Sequence, residues 1–106
     1  MVFNTGAALL DAIVLAVVSK EQEGTYGYKI TQDVRSVIDI SESTLYPVLR
    51  RLQKEECLEV YDMAIDGRNR RYYKITEKGR VQLNLYKCEL AGYSLKISQI
   101  FEEALI

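Results

Sequence analysis

The sequence holds no histidine and no tryptophan, one proline, and two cysteines among its 106 residues. Without histidine it lacks the commonest general base and metal ligand, so catalysis near neutral pH would fall to tuned Glu, Lys, Tyr or Cys side chains. No convergent acid–base pair and no nucleophile with a partner is visible. The chain is therefore not read as an enzyme, and neither a cofactor nor a metal is expected. Cys57 and Cys88 lie far apart, with no CxxC or Cys/His spacing, and read as reduced, mostly buried thiols. A membrane-length apolar run is also missing. GAALLDAIVLAVVS is interrupted by Asp11, has no basic residue before it, and falls short of the ~20 residues a span requires. It reads as a buried helix, and a cytoplasmic location is expected.

What is present suits one domain with a modest core. The net charge of −1 by itself argues against nucleic acid, but the charges are unevenly spread. Between positions 68 and 80 stand Arg68, Arg70, Arg71, Lys74, Lys78 and Arg80 against the single acid Glu77. Arg50, Arg51 and Lys54 form a second basic cluster, while Glu21, Glu23, Asp33, Asp39, Glu102 and Glu103 lie elsewhere. A basic face and an acidic remainder are expected.

Hydrophobic spacing predicts a first helix from positions 5–7 to about 20. It carries Leu9, Leu10, Ile13, Val14 and Val17 on a face too broad for one neighbour. EQEGTYG reads as a loop. A second helix, roughly 26–37, would bury Tyr26 or Ile30 together with Val34 and Val37. Ser41 or Ser43 would cap a third helix ending near 55, with Leu45, Val48, Leu49 and Leu52 as its buried stripe. Pro47 is tolerated only near a helix start, which places that start just before it. Positions 57–63 and 71–76 read as strands joined by AIDGRN, in which Asp66-Gly67 is a strong hairpin signal. Alternation sends Tyr72 and Lys74 to one face and Tyr73 and Ile75 to the other, so one tyrosine is expected in the core. Thr76 would cap a last helix running almost to the C-terminus.

Three helices, a two-stranded ribbon and a long helix form a winged helix-turn-helix plan, mainly α with a small β component. Positions 1–76 would be the DNA-binding part and 77–106 a dimerisation helix, together one compact unit. The third helix keeps Ser43, Thr44, Tyr46, Pro47, Arg50, Arg51 and Lys54 off its apolar stripe. The hydroxyls would donate to phosphates or base edges, and Arg50 would reach a phosphate or a guanine. Arg68, Asn69, Arg70 and Arg71 are expected at the ribbon tip, where phosphates would relieve their mutual repulsion. Leu83, Tyr86, Leu90, Tyr93, Ile97, Ile100 and Ala104 recur at alternating spacings of three and four, widened by Leu85, Leu95 and Phe101. That seam predicts a homodimer interface, completed by the first helix. The competing reading is a winged-helix module whose basic wing meets an acidic protein.

Three segments carry a family resemblance: YGYKI, STLYPVLRRLQKEECLE and GRNRRYYKITEKGR. In these motifs, in this order and over nearly its whole length, the chain resembles the PadR transcriptional regulators. The closest subtype is the short one with a single C-terminal dimerisation helix. The resemblance implies a homodimeric, usually repressing regulator of a pseudo-palindromic operator in double-stranded DNA. It assigns DNA contacts to Thr44, Tyr46, Pro47, Arg50, Arg68, Arg70 and Arg71, and places Tyr28 near the protein–DNA boundary. Tyr26 stands where the family usually has His, and Lys29 where it has Glu, which adds a candidate phosphate contact. Glu56 replaces a common Gly, so the left-handed cap after the recognition helix is either absent or strained. Some relatives bind aromatic drugs between the long helices on a Trp platform, which this chain lacks. Tyr86, Leu90 and Tyr93 read first as plain interface packing, with a smaller pocket for an aromatic effector as the alternative role.

Overall fold

The computed structural model describes residues 7–105. The expected helix start at Thr5 lies outside them. Within them the order is α1 (Ala7–Ser19), β1 (Thr25–Tyr26), α2 (Gly27–Arg35), α3 (Glu42–Lys54), β2 (Leu58–Ile65), β3 (Arg68–Ile75) and α4 (Glu77–Ala104). This is an α+β winged helix-turn-helix with a long C-terminal helix. No helix among the described residues is long and apolar enough to cross a membrane.

The core gathers one face from each element: Val14, Leu15 and Val18 of α1, Ile30 and Val34 of α2, Leu45, Leu49 and Leu52 of α3, and Leu58, Tyr73 and Ile75 of the sheet. α1 lies at its centre, touching α2, α3, β3 and α4, which is why it is apolar on most sides. Of the tyrosine pair on β3, Tyr73 is the buried one. Cys57 is buried as expected, whereas Cys88 is exposed, on a side of α4 turned away from the α1 contact that Tyr86 and Leu90 make.

Four expectations need correction. First, α2 ends at Arg35 and not at Val37. Ile38 N–H bonds back to the Val34 carbonyl in the turn that follows, and Val37 is 69% exposed rather than buried. Second, the sheet has three strands, in the order β1-β3-β2, all antiparallel. Thr25 and Tyr26 pair with Tyr73 and Tyr72, and so short a strand has no periodicity of its own to read. Third, the ribbon is longer and its turn tighter than expected. Asp66 and Gly67, at φ 52° and 76°, make a two-residue turn that matches strand twist, so pairing continues to Ile65 and Arg68. Arg68, Asn69, Arg70 and Arg71 are thus strand residues with alternating faces, not a cluster at a loose tip. Fourth, α3 starts well before Pro47: Ser41, one of the two expected caps, accepts the Thr44 N–H at 3.3 Å, and Pro47 sits a full turn inside the helix. Pro47 denies the Ser43 carbonyl its helical partner, but Ser43 is exposed and water can replace that bond.

α3 ends in a Schellman cap: Glu56 N–H bonds the Gln53 carbonyl, and Cys57 N–H the Leu52 carbonyl at 2.8 Å. The left-handed position belongs to Glu56, at φ 64°. The cap is therefore present and strained. The Thr76 hydroxyl donates to the Glu56 carbonyl at 2.6 Å, and Thr76 Oγ1 caps α4 by accepting the Gly79 N–H at 2.9 Å. Gly79 is buried against Cys57, and a Cβ there would collide with the Cys57 carbonyl oxygen.

These contacts give two outcomes of opposite sign. Glu56→Gly should raise unfolding stability by about 0.5–1 kcal/mol by relieving the left-handed strain. Gly79→Ala should lower it by about 1–3 kcal/mol, because α4 must back away from backbone. Urea unfolding midpoints of the two variants check both.

Candidate nucleic-acid interface

β1 ends at Tyr26, so the edge of β3 from Arg71 outward has no strand beside it on that side. The chain turns there into α2, and α3 crosses opposite. The result is an open groove of about 660 Å³ lined by Tyr26, Gly27, Tyr28, Tyr46, Arg50, Asn69, Arg70, Arg71 and Tyr73. Three guanidiniums and several phenols face one cleft, a donor set suited to an anionic, ring-bearing polymer.

Of the residues expected to meet DNA, the groove brings together Tyr28, Tyr46, Arg50, Asn69, Arg70 and Arg71. Ser43, Thr44 and Pro47 are exposed on the first turns of α3 beside it, and Ser41 Oγ lies 2.9 Å from Ser43 Oγ and 3.1 Å from Thr44 Oγ1. Lys54 is exposed in the last turn of α3, Arg68 beside the hairpin turn, and Lys74 half-buried opposite Glu59; none of them lines the groove. Lys29 is held elsewhere, 2.8 Å from Glu21 and 3.2 Å from Asp33, and these hydrogen bonds raise its ammonium pKa. Tyr28 is exposed and accepts a hydrogen bond from Gln32 at 3.0 Å. Arg71 is 3.8 Å from Asp62 across the ribbon, an exposed pair that leaves the guanidinium available. Burial pushes the Tyr73 hydroxyl pKa up, with the Arg71 charge acting against it.

Arg51, grouped by sequence with Arg50 and Lys54, points the other way. Its Nη1 and Nη2 meet Asp11 Oδ2 and Oδ1 at 2.6 and 2.7 Å. Asp11 is buried in α1, and the hydrogen bonds from Arg51 hold that guanidinium firmly charged. The Tyr86 hydroxyl of α4 comes to 3.5 Å from the same carboxylate, and burial, then the Asp11 charge, pushes its pKa up. The signal for this contact was present as a lone acid inside an apolar helix, since a buried carboxylate demands a cation.

The seam on α4 divides. Leu83, Tyr86 and Leu90 pack on α1 of the same chain, around a largely apolar cavity of about 350 Å³ shared with Ala12, Ile13 and Ala16. Two of the three expected pocket residues, Tyr86 and Leu90, line it and Tyr93 does not. Tyr93 and Ile97 are half-buried, and Leu85, Leu95, Ile100 and Phe101 are exposed.

Arg50 and Arg51 should therefore separate cleanly. Arg51→Ala strands a buried carboxylate and should cost roughly 2–4 kcal/mol of stability, less than a fully buried pair because Arg51 is partly solvated. Arg50→Ala should leave stability within about 0.5 kcal/mol of the parent. Equal urea midpoints for the two variants would contradict the assignment.

A family model described as the transcriptional regulator PadR-like family matches residues 14–85. The fold is similar to that of smu.1704 from Streptococcus mutans, with a TM-score of 0.84 and 37% identity over 96% of this chain and 94% of that one. The PadR-like transcriptional regulator BC4206 from Bacillus cereus has a TM-score of 0.78 and 31% identity over 88% of this chain and 91% of its own. In sequence, transcriptional regulator Rv3488 of Mycobacterium tuberculosis is 39% identical over 59 residues, which is 55% of either chain. Regulators of this family bind DNA, generally dimerise, and are not enzymes. With the family match covering residues 14–85 and the fold shared almost end to end, the chain belongs to the PadR-like family of transcriptional regulators.

Proposed function

We propose that the protein is a homodimeric repressor that binds a pseudo-palindromic operator through α3 and the β2–β3 wing. The groove carries the reading: Arg50 on α3 and Arg70 and Arg71 on β3 face one cleft together with Tyr28 and Tyr46. Arginines on two walls suit adjoining phosphates, and the exposed hydroxyls of Ser43 and Thr44 suit base edges or backbone at the start of the helix. An acidic protein surface would meet the arginines too, but the exposed hydroxyls of Ser43 and Thr44 beside them suit phosphate geometry.

Dimerisation follows from α4. The helix is about 42 Å long at ~1.5 Å per residue, and its distal half exposes Leu95, Ile100 and Phe101. An apolar helical stripe of that length is stable in water only against a partner, and a second α4 offers the matching seam. Two heads fixed this way would meet half-sites about one helical turn apart. A small aromatic effector would enter at the α1–α4 cavity, beside Tyr86 and Leu90.

Fluorescence anisotropy with the protein's own upstream DNA tests the reading. Affinity should fall steeply with salt. Arg71→Ala should weaken binding to every sequence and reduce the salt slope by about one unit per lost phosphate contact. Arg50→Ala should cost ~1–3 kcal/mol and relax preference at one position of each half-site, if Arg50 meets a base. Salt-independent binding, or none, would remove DNA as the target.

The dimer has its own check. Ile100 and Phe101 are each 65% exposed in the single chain, so Phe101→Glu should leave the winged domain folded while halving the sedimenting mass and abolishing operator binding. Leu90→Glu is the less clean variant, because Leu90 also lines the α1–α4 cavity. A dimer that survives Phe101→Glu with normal affinity would mean that α4 associates by another face.

A further inference from the structure

Tyr26 has a ring that nothing described so far explains. It occupies the N-cap position of α2, yet its side chain makes no capping hydrogen bond. It is half-buried on the sheet face turned away from the core, the face it shares with Tyr72 and Tyr61. Tyr61 stacks on Tyr72, with centroids 5.7 Å apart and planes at 17°. Tyr72 meets Tyr26 edge-on, at 5.7 Å and 63°. The ladder is tied at its far end, where the Tyr61 hydroxyl donates to the Glu23 carbonyl and the ring lies against Gly24. At its near end the Arg70 guanidinium sits 4.3 Å over the Tyr26 ring. Arg70 is two residues from Tyr72 on β3, hence the diagonal neighbour of Tyr26 across the β1–β3 pair, within reach of a long side chain.

This arrangement distinguishes Arg70 from the other wing cations. Arg68 and Arg71 are exposed, whereas Arg70 is half-buried with its guanidinium over the Tyr26 ring. A guanidinium held over a ring by its charge makes no hydrogen bond to it, so the contact restricts its direction without consuming its donors. An arginine waving in water loses its rotamer freedom when it binds; one already held has less to lose. Both Tyr26 and Arg70 line the groove, so the held guanidinium stands at the groove rim.

We propose that Tyr26 is a positioning residue for DNA recognition: with Tyr72 and Tyr61 behind it, its ring holds Arg70 pre-ordered at the rim of the groove. The inference rests on the DNA-binding reading above and adds a residue that need not touch DNA. It also makes β1 part of the recognition surface, since pairing of Tyr26 with Tyr72 is what brings the ring under Arg70.

The test combines a measurement on the free full-length protein with a double-mutant cycle. In the wild type, the Arg70 side-chain Nε–H signal should show restricted motion and its Cδ protons an upfield ring-current shift. Both should vanish in Tyr26→Leu and persist in Tyr26→Phe, which keeps the ring. With a labelled duplex of the protein's own upstream DNA, Tyr26→Leu should weaken binding roughly 3- to 10-fold, and Tyr26→Phe less than about 2-fold. In the Arg70→Ala background, Tyr26→Leu should add nothing further. Because Tyr26→Leu keeps the Arg70 charge, its salt slope should match the wild type, whereas a generally loosened wing would lower affinity and slope together. A mobile, unshifted Arg70 in the wild type overturns the inference without any variant. Additive losses in the cycle, with normal wild-type binding, overturn it and leave the DNA reading standing. Absence of salt-dependent binding by the wild type overturns both.

Discussion

A carboxylate in the middle of an apolar helix is the constraint around which this fold is organised. Asp11 is buried, and an ionised group in that position is tolerated only with a close, well-aligned counter-ion. Arg51 supplies it through two parallel hydrogen bonds, and Tyr86 brings a third element to the same oxygen. Three helices distant in sequence are thereby pinned at one point. Neighbouring helical residues point about 100° apart at 3.6 residues per turn, so turning Arg51 inward sets the rotation of α3. That rotation sends Arg50 outward to the groove and Leu45, Leu49 and Leu52 into the core. The orientation of the groove face of α3 is thus a consequence of a contact behind it.

A second junction fixes the wing and α4 to the end of α3. The Glu56 carbonyl, the Thr76 hydroxyl and the Gly79 N–H form one short relay of hydrogen bonds. Thr76 N–H also bonds the Cys57 carbonyl at 3.1 Å. The left-handed turn at Glu56 allows β2 to leave α3 sharply, and the bare Cα of Gly79 allows α4 to start against it. Groove walls contributed by α3 and β3 are therefore held by hydrogen bonds and not by loop length. The helix that would carry the dimer springs from the same junction. Its proximal half is bound to α1, and its distal half offers its apolar side outward.

Much of this was legible in the residues. The stripe of Leu45, Val48, Leu49 and Leu52, the Asp66-Gly67 turn and the Thr76 cap are local signals, each decided within a turn or two of chain. They were enough for the winged plan and for the basic groove residues Arg50, Arg70 and Arg71. The misread parts share a cause. β1 exists only because β3 offers Tyr72 and Tyr73 an edge to pair, and Val37 is exposed only because α2 stops at Arg35. Pro47 lies deeper in α3 than its chemistry favours, because the Ser41 cap and the core together outweigh one missing hydrogen bond.

What the sequence alone determined is therefore the set of elements, their order and which face of each is apolar, since periodicity, caps and turn residues act over a few positions. Only the tertiary structure decided which of two adjacent arginines faces the groove. It alone decided that Lys29 is held by Glu21 and Asp33, and that Tyr26 lies beneath Arg70. Those outcomes depend on partners brought together from distant stretches of chain. A side chain's charge is written in its residue type, but what it meets is set by how the helices and strands pack.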